Sequence, residues 1–256
     1  MKLFLNELKL RNKTLYFFGW VNLLGVVICL VLLQVDDTTI MGINAWIKPI
    51  KFLLSITIYC WTMGWLLHYL NEPKKVRSFN IMVLIVFIFE MGYVLFQAAR
   101  GQKSHFNFSS PTTITLYSLM GLAITILVLW TAYFAILFFW RNIPGLSKSY
   151  VWGIRLGMLT FVIFALSAHI MASSTGHTVG APDGSPGLPF LNWSIKYGDL
   201  RATHFFGMHA LQVLPIIGFY SNNSKLTVGV FMLYFLLCIF TLLIALQGKP
   251  LFAFLS

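Results

Sequence analysis

The side chains able to do chemistry are few and unevenly placed. Glu90 stands in an apolar run, Phe87-Ile-Phe-Glu90-Met-Gly-Tyr93. Gln97 follows seven residues later, two helical turns on, and so shares its face. Arg100 lies one turn further. A second group opens another apolar run, Trp46-Ile-Lys48-Pro49-Ile-Lys51, with Ser55 one turn beyond Lys51. Lys51 is the expected ion-pair partner of Glu90; the plain alternative for Lys48 and Lys51 is that they snorkel to the head groups. A third group runs from Arg201 to Gln212. Here His204 and His209 are five apart, about 140° around a helix, and so cannot grip one metal from a single face. Arg201, Phe205, His209 and Gln212 do share a face.

By helical rise, Glu90 lies about 13 Å and His209 about 10 Å below the outer end of their runs. Ionisable groups at such depth face a protein interior and mark ligand, ion or proton paths. The expected cavity is therefore lined by Lys51, Ser55, Glu90, Gln97, Arg100, His209 and Gln212. His105, Asp183, Asp199, Arg201 and His204 add loop candidates on the same side.

Four chemistries fit this set. The residues could line a pocket for a small ligand or solute, for transport or sensing. Imidazole ligates metals, so a haem or copper redox site is a second reading, though His169 and His209 differ by about 6 Å in depth. A zinc-dependent lipid hydrolase needs three ligands and an open water position; His169, His209 and Glu90 could supply the ligands, with Asp199 as base, but no H-E-x-x-H or H-x-x-x-H is present. The fourth is a structural or assembly role in a membrane complex. Enzyme or not, and the oligomeric state, stay open.

The elements that must hold these residues follow from composition. Apolar residues make up 58% of the 256 and charged residues only 10%, against about 25% charged in soluble domains. So few charges cannot cover a soluble surface, and lipid must take water's place. Runs at about 14–34, 45–70, 78–99, 112–140, 150–172, 202–220 and 225–247 each approach the roughly 20 residues a span needs. The expected fold is all-α: a single polytopic bundle of about seven spans, 1–256. The run after Lys2, Lys9, Arg11 and Lys13 is too long for a signal peptide core and reads as an uncleaved first span.

The net charge of +11 sits between the apolar runs rather than along a polar helix, so it reads as topological and nucleic acid is not an expected partner. With the N-terminus inside, Lys2, Lys9, Arg11, Lys13, Lys74, Lys75, Arg77, Arg141, Lys148, Arg155 and Lys225 are cytoplasmic. Lys48, Lys51, Arg100, Lys103, Lys196, Arg201 and Lys249 then lie outside. The excess favours that orientation, with the C-terminus outside. Trp46, Trp140, Trp152 and Trp193 fall near the expected interfaces. Residues 173–201 form the one long outer connection. Its Gly-Ala-Pro-Asp-Gly-Ser-Pro-Gly-Leu-Pro stretch excludes regular structure, while Leu188, Phe190, Leu191 and Trp193 predict a lid-like loop packed on the bundle. Cys29, Cys60 and Cys238 all sit inside apolar runs, as buried small side chains do.

Three stretches together carry a family likeness. They are Trp46-Ile-Lys-Pro-Ile-Lys-Phe; Gln97-Ala-Ala-Arg-Gly through Ser104-His-Phe-Asn107; and His177-Thr-Val-Gly through Asp183-Gly, Pro186-Gly-Leu-Pro, Trp193-Ser, Gly198-Asp-Leu-Arg and His204 to His209-Ala-Leu-Gln. The chain resembles an uncharacterised family of bacterial multi-span membrane proteins across most of its outer face. The resemblance implies a bacterial inner membrane, with the outer face periplasmic, and implies no activity or cofactor.

Overall fold

The computed structural model describes residues 2–252. They form nine α-helices and two small β pairs. In chain order these are α1 (Lys2–Arg11), α2 (Lys13–Val35), β1 (Thr39–Ile40), β2 (Ile43–Asn44), α3 (Ile47–Leu66, continued as a 3-10 turn over Leu67–Leu70), α4 (Pro73–Ala99) and α5 (Pro111–Trp140). Then come α6 (Lys148–Leu166), α7 (Ala168–Ser173), β3 (Thr178–Val179), β4 (Gly198–Asp199), α8 (Leu200–Ser221) and α9 (Ser224–Leu246). Among the described residues, seven helical stretches are long and apolar enough to cross a membrane. The chain is a multi-pass, all-helical membrane protein, and its exposed apolar side chains meet lipid.

Local chemistry sets where the helices begin and end. Asn12, Ser147, Asp199 and Asn223 cap α2, α6, α8 and α9 by accepting bonds from backbone N–H groups of the first turn. Pro73 and Pro111 open α4 and α5, where a missing N–H costs nothing. Asn71 (φ 52°) and Asn222 (φ 45°) adopt the left-handed conformation that ends helices.

The helices gather into two units, residues 1–127 and 128–256, and the boundary falls inside α5. In the first unit α2 and α3 form an antiparallel hairpin, with α1 and α4 packed against α3. The hairpin closes tightly because Gly19 lies against the Trp61 indole, whose Nε1 donates to the Tyr16 carbonyl at 3.2 Å. Its turn is tied by Asp36, which accepts from the Thr38 hydroxyl (2.6 Å), the Thr38 amide (2.9 Å) and the Trp46 indole (2.8 Å). Those donors hold the Asp36 carboxyl below the usual carboxylate range. At the opposite end, Asn12 and Asn80 exchange reciprocal amide bonds of 3.1 and 3.0 Å, locking the start of α2 to α4. Arg11 is clamped by Glu7 at 2.8 Å and stacks on Trp65 at 3.9 Å.

In the second unit α6 and α8 run antiparallel in close contact, and α9 packs on both. Four glycines permit it. A Cβ on Gly153 would stand 2.4 Å from the Leu214 carbonyl oxygen, on Gly157 2.7 Å from that of Ala210, and on Gly218 2.5 Å from that of Ser149. Gly207 lies equally tight against Phe164. Small residues that let backbones touch are how helices associate where lipid is as apolar as leucine. Ser149 adds a 2.6 Å bond to the Gly218 carbonyl. Arg155 donates to the carbonyls of Phe138 (2.8 Å) and Arg141 (3.1 Å), placing its charge at the negative end of α5.

Two of the tryptophans expected near the membrane interfaces are buried against protein. Trp46 and Trp193 are each 6% exposed. Trp46 is recruited by Asp36, and Trp193 by Phe205 and Phe206. Trp140, at 82% exposure, does present its ring outward.

Gly153→Ala should lower the stability of the protein in detergent by about 1–3 kcal/mol, the cost of overpacking a close contact. Gly92→Ala, with nothing near its added methyl, should leave the thermal midpoint unchanged or raised. Thermal unfolding followed by tryptophan fluorescence checks both.

Candidate functional site

In the first unit the polar residues converge on one face of α4. Glu90 is 3% exposed and Gln97 1% exposed, so both are buried. The helix around Glu90 is apolar, with Phe87, Met91 and Val94 buried beside it. Among the described residues the Glu90 carboxyl makes no hydrogen bond; the charge that reaches it is that of Lys48, in the first turn of α3. Lys51, the expected partner, lies three residues on, about 60° around the same helix. Lys48 also stands 5.7 Å from the Phe52 ring centroid. Ser55 and Lys51 are half-buried along α3.

Gln97 has two functions for its nitrogen and none for its oxygen. Nε2 donates to the Tyr93 hydroxyl at 3.3 Å and to the Lys103 carbonyl at 3.1 Å. Oε1 is buried and meets no donor among the described residues. Asn107 donates to the same Lys103 carbonyl at 3.0 Å, so one amide bond ties the 100–107 connection to α4 and another closes it on itself. His105 packs between the rings of Phe52 (5.6 Å) and Tyr117 (5.8 Å), with the Ser104 hydroxyl 3.1 Å from Nδ1. Arg100 is exposed and rests over Phe96 at 5.1 Å.

The second unit holds His169, Asp183, Asp199, Arg201, His204, His209 and Gln212. His209 and Gln212 meet at 3.3 Å, and His209 packs against the Phe205 ring at 4.3 Å, so the shared face of α8 is real. His204 faces another way: Nδ1 lies 2.9 Å from the Phe164 carbonyl at the end of α6. His169 is exposed, 3.0 Å from the Leu166 carbonyl. Arg201 turns back from His209 to Asp199, bonding through Nε (2.9 Å) and Nη2 (2.6 Å), and also to the Asn192 carbonyl. Asp199 in turn accepts from the Ser194 amide at 2.8 Å. These two residues are the fastening of the 173–199 connection to α8 rather than free polar groups.

A second fastening lies at its other end. Asp183 accepts from the amides of His177 (3.2 Å) and Thr178 (2.9 Å) and pairs with His177 Nδ1 at 2.9 Å. Burial alone would raise the Asp183 carboxyl; the bond and charge of His177, with Thr178, outweigh it and hold it well below the usual carboxylate range. Among the described residues, no three His, Cys, Asp or Glu side chains are grouped as a metal site requires.

Sequence spacing indicated the Glu90–Gln97 stripe and the His209–Gln212 face. It missed Tyr93, although four residues from Gln97 is one helical turn. It also missed the Lys103 carbonyl and Asn107, for which the Asn-Phe-Ser-Ser-Pro turn was the only cue.

A carboxyl held low in the folded state adds stability that is complete above its unfolded value, about 4, and disappears as the pH falls toward the lower folded value. Asp183→Asn should therefore cost about 1–3 kcal/mol at neutral pH, by weakening bonds to a charged acceptor. It should also flatten the stability loss of the wild type below pH 4. Thermal midpoints of both proteins across that range test this.

No protein family, curated protein or solved structure matches this chain.

Proposed function

We propose that this multi-pass membrane protein binds a small polar solute in its first unit, between Lys48, Glu90 and Gln97, and that the structure is the occluded form of that site. The reading rests on Glu90: a carboxyl 3% exposed, in the middle of a span, with no hydrogen bond among the described residues. Such a group is costly in a membrane and is kept where it serves a ligand, ion or proton. The orphaned Gln97 Oε1 adds a second acceptor on the same face. Two acceptors and one nearby cation suit a solute rich in N–H or O–H donors, with a negative or polar end toward Lys48. Transport and sensing both use such a site.

We further read residues 173–201 as a lid on the second unit. Buried Trp193 and the Asp199–Arg201 fastening support that reading. The charge distribution supports an N-terminus inside and a C-terminus outside, and the family resemblance supports a bacterial inner membrane.

The test is a thermal-shift panel of small amines, amino acids and polyols on purified protein. At least one class should raise the wild-type midpoint. Glu90→Gln should weaken that response about tenfold or more in apparent affinity, the cost of replacing a charged acceptor. A panel with no responder, or a Glu90→Gln protein that responds like the wild type, would contradict the proposal.

A further inference from the structure

We infer that the groove between α2 and α4 is a binding site for one anionic phospholipid, with an acyl chain along the groove and the phosphate at its basic mouth. The groove belongs to the first unit, is open along its length and has a volume of about 430 Å³. Phe17, Phe18, Val21 and Leu84 make its walls, and Lys13 and Thr14 its end. Apolar walls closed at one end by a cation match an amphiphile, not a polar solute.

The mouth carries more charge than Lys13 alone. Lys9 Nζ stands 5.7 Å from the ring centroid of Phe17, a wall residue. Arg77 is exposed on α4, seven residues before Leu84 and so on the same face, about 10 Å nearer the membrane surface. The Asn12–Asn80 amide pair fixes the level of the two helices. Lys13 follows Asn12, and Arg77 is one turn before Asn80, so both cations come to the same end of the groove. Among the described residues neither Lys13 nor Arg77 makes an ion pair within the chain. Glu72 and Glu7, the acids at this end, are already paired with Lys75 and Arg11. Lys9, like Lys13 and Arg77, forms no ion pair among the described residues, and three such cations above an apolar groove complement a phosphate carrying a hydrocarbon chain. A zwitterionic head group would bring its own cation into the same cluster and be disfavoured.

Native mass spectrometry tests this on protein equilibrated with equal parts of phosphatidylglycerol and phosphatidylcholine. The wild type should retain one phosphatidylglycerol in preference to phosphatidylcholine. Lys13→Gln and Arg77→Gln should each reduce that preference about fivefold, as the loss of one basic residue at a membrane surface does. Val21→Trp keeps every charge and fills the groove from a position that is 62% exposed, so the fold tolerates it; it should abolish the retained lipid. Equal retention of the two lipids by the wild type overturns the inference, as does undiminished preference in both charge variants. Undiminished preference in Val21→Trp also overturns it, because the basic patch would then recruit head groups without the groove.

Discussion

Lipid in place of water is the constraint on which the rest of this structure depends. No solvent at the level of the spans can take a stray hydrogen bond, so backbone groups close within helices, and each polar side chain must find a partner inside the protein or remain as a cost. Most find one. Thr57, Thr160 and Thr241 bond to carbonyls of their own helices. Asn12 and Asn80 satisfy each other, and Arg155 is spent on the end of α5. Measured against that economy, Glu90 and the oxygen of Gln97 stand out, since they lie buried on one face of one helix without a donor among the described residues.

The same constraint explains how each unit holds together. Burying apolar surface gains little against lipid, so the helices approach through small residues and fitted shapes. In the second unit this is the run of Gly153, Gly157, Gly207 and Gly218 between α6 and α8, with Pro215 seated against the first two. In the first it is Gly19 beneath Trp61. The connections use charge instead, because they lie where water can compete: Asp36, Asp183 and Asp199 each gather several donors into a knot. Fixed ends and closely packed helices give α4 the rigidity to hold a carboxyl where it would otherwise not stay.

The helical character and the number of candidate spans were legible because a membrane span writes its length and composition directly into sequence. The alignment of Glu90 with Gln97 was legible too, since a seven-residue spacing needs no tertiary information. Partnerships between distant residues were not. Nothing local distinguishes Lys48 from Lys51 as the cation that Glu90 feels, because the choice depends on how α3 is rotated against α4. Asn12 and Asn80 are 68 residues apart, and either alone reads as a cap or a surface residue. Trp46 and Trp193 read as interface anchors until Asp36 and the Phe205–Phe206 pair are seen to bury them. The glycines of α6 and α8 look like weak points in helices until the facing backbone is present.

The most direct measurement is a density map of the protein in lipid nanodiscs, at a resolution that shows bound small molecules and ordered water. Non-protein density is expected within hydrogen-bonding distance of both the Glu90 carboxyl and Gln97 Oε1 when a responding solute is present. A map in which the Lys48 ammonium bonds Glu90 directly, a protein donor meets Gln97 Oε1, and no solute enters between them would contradict the proposed site.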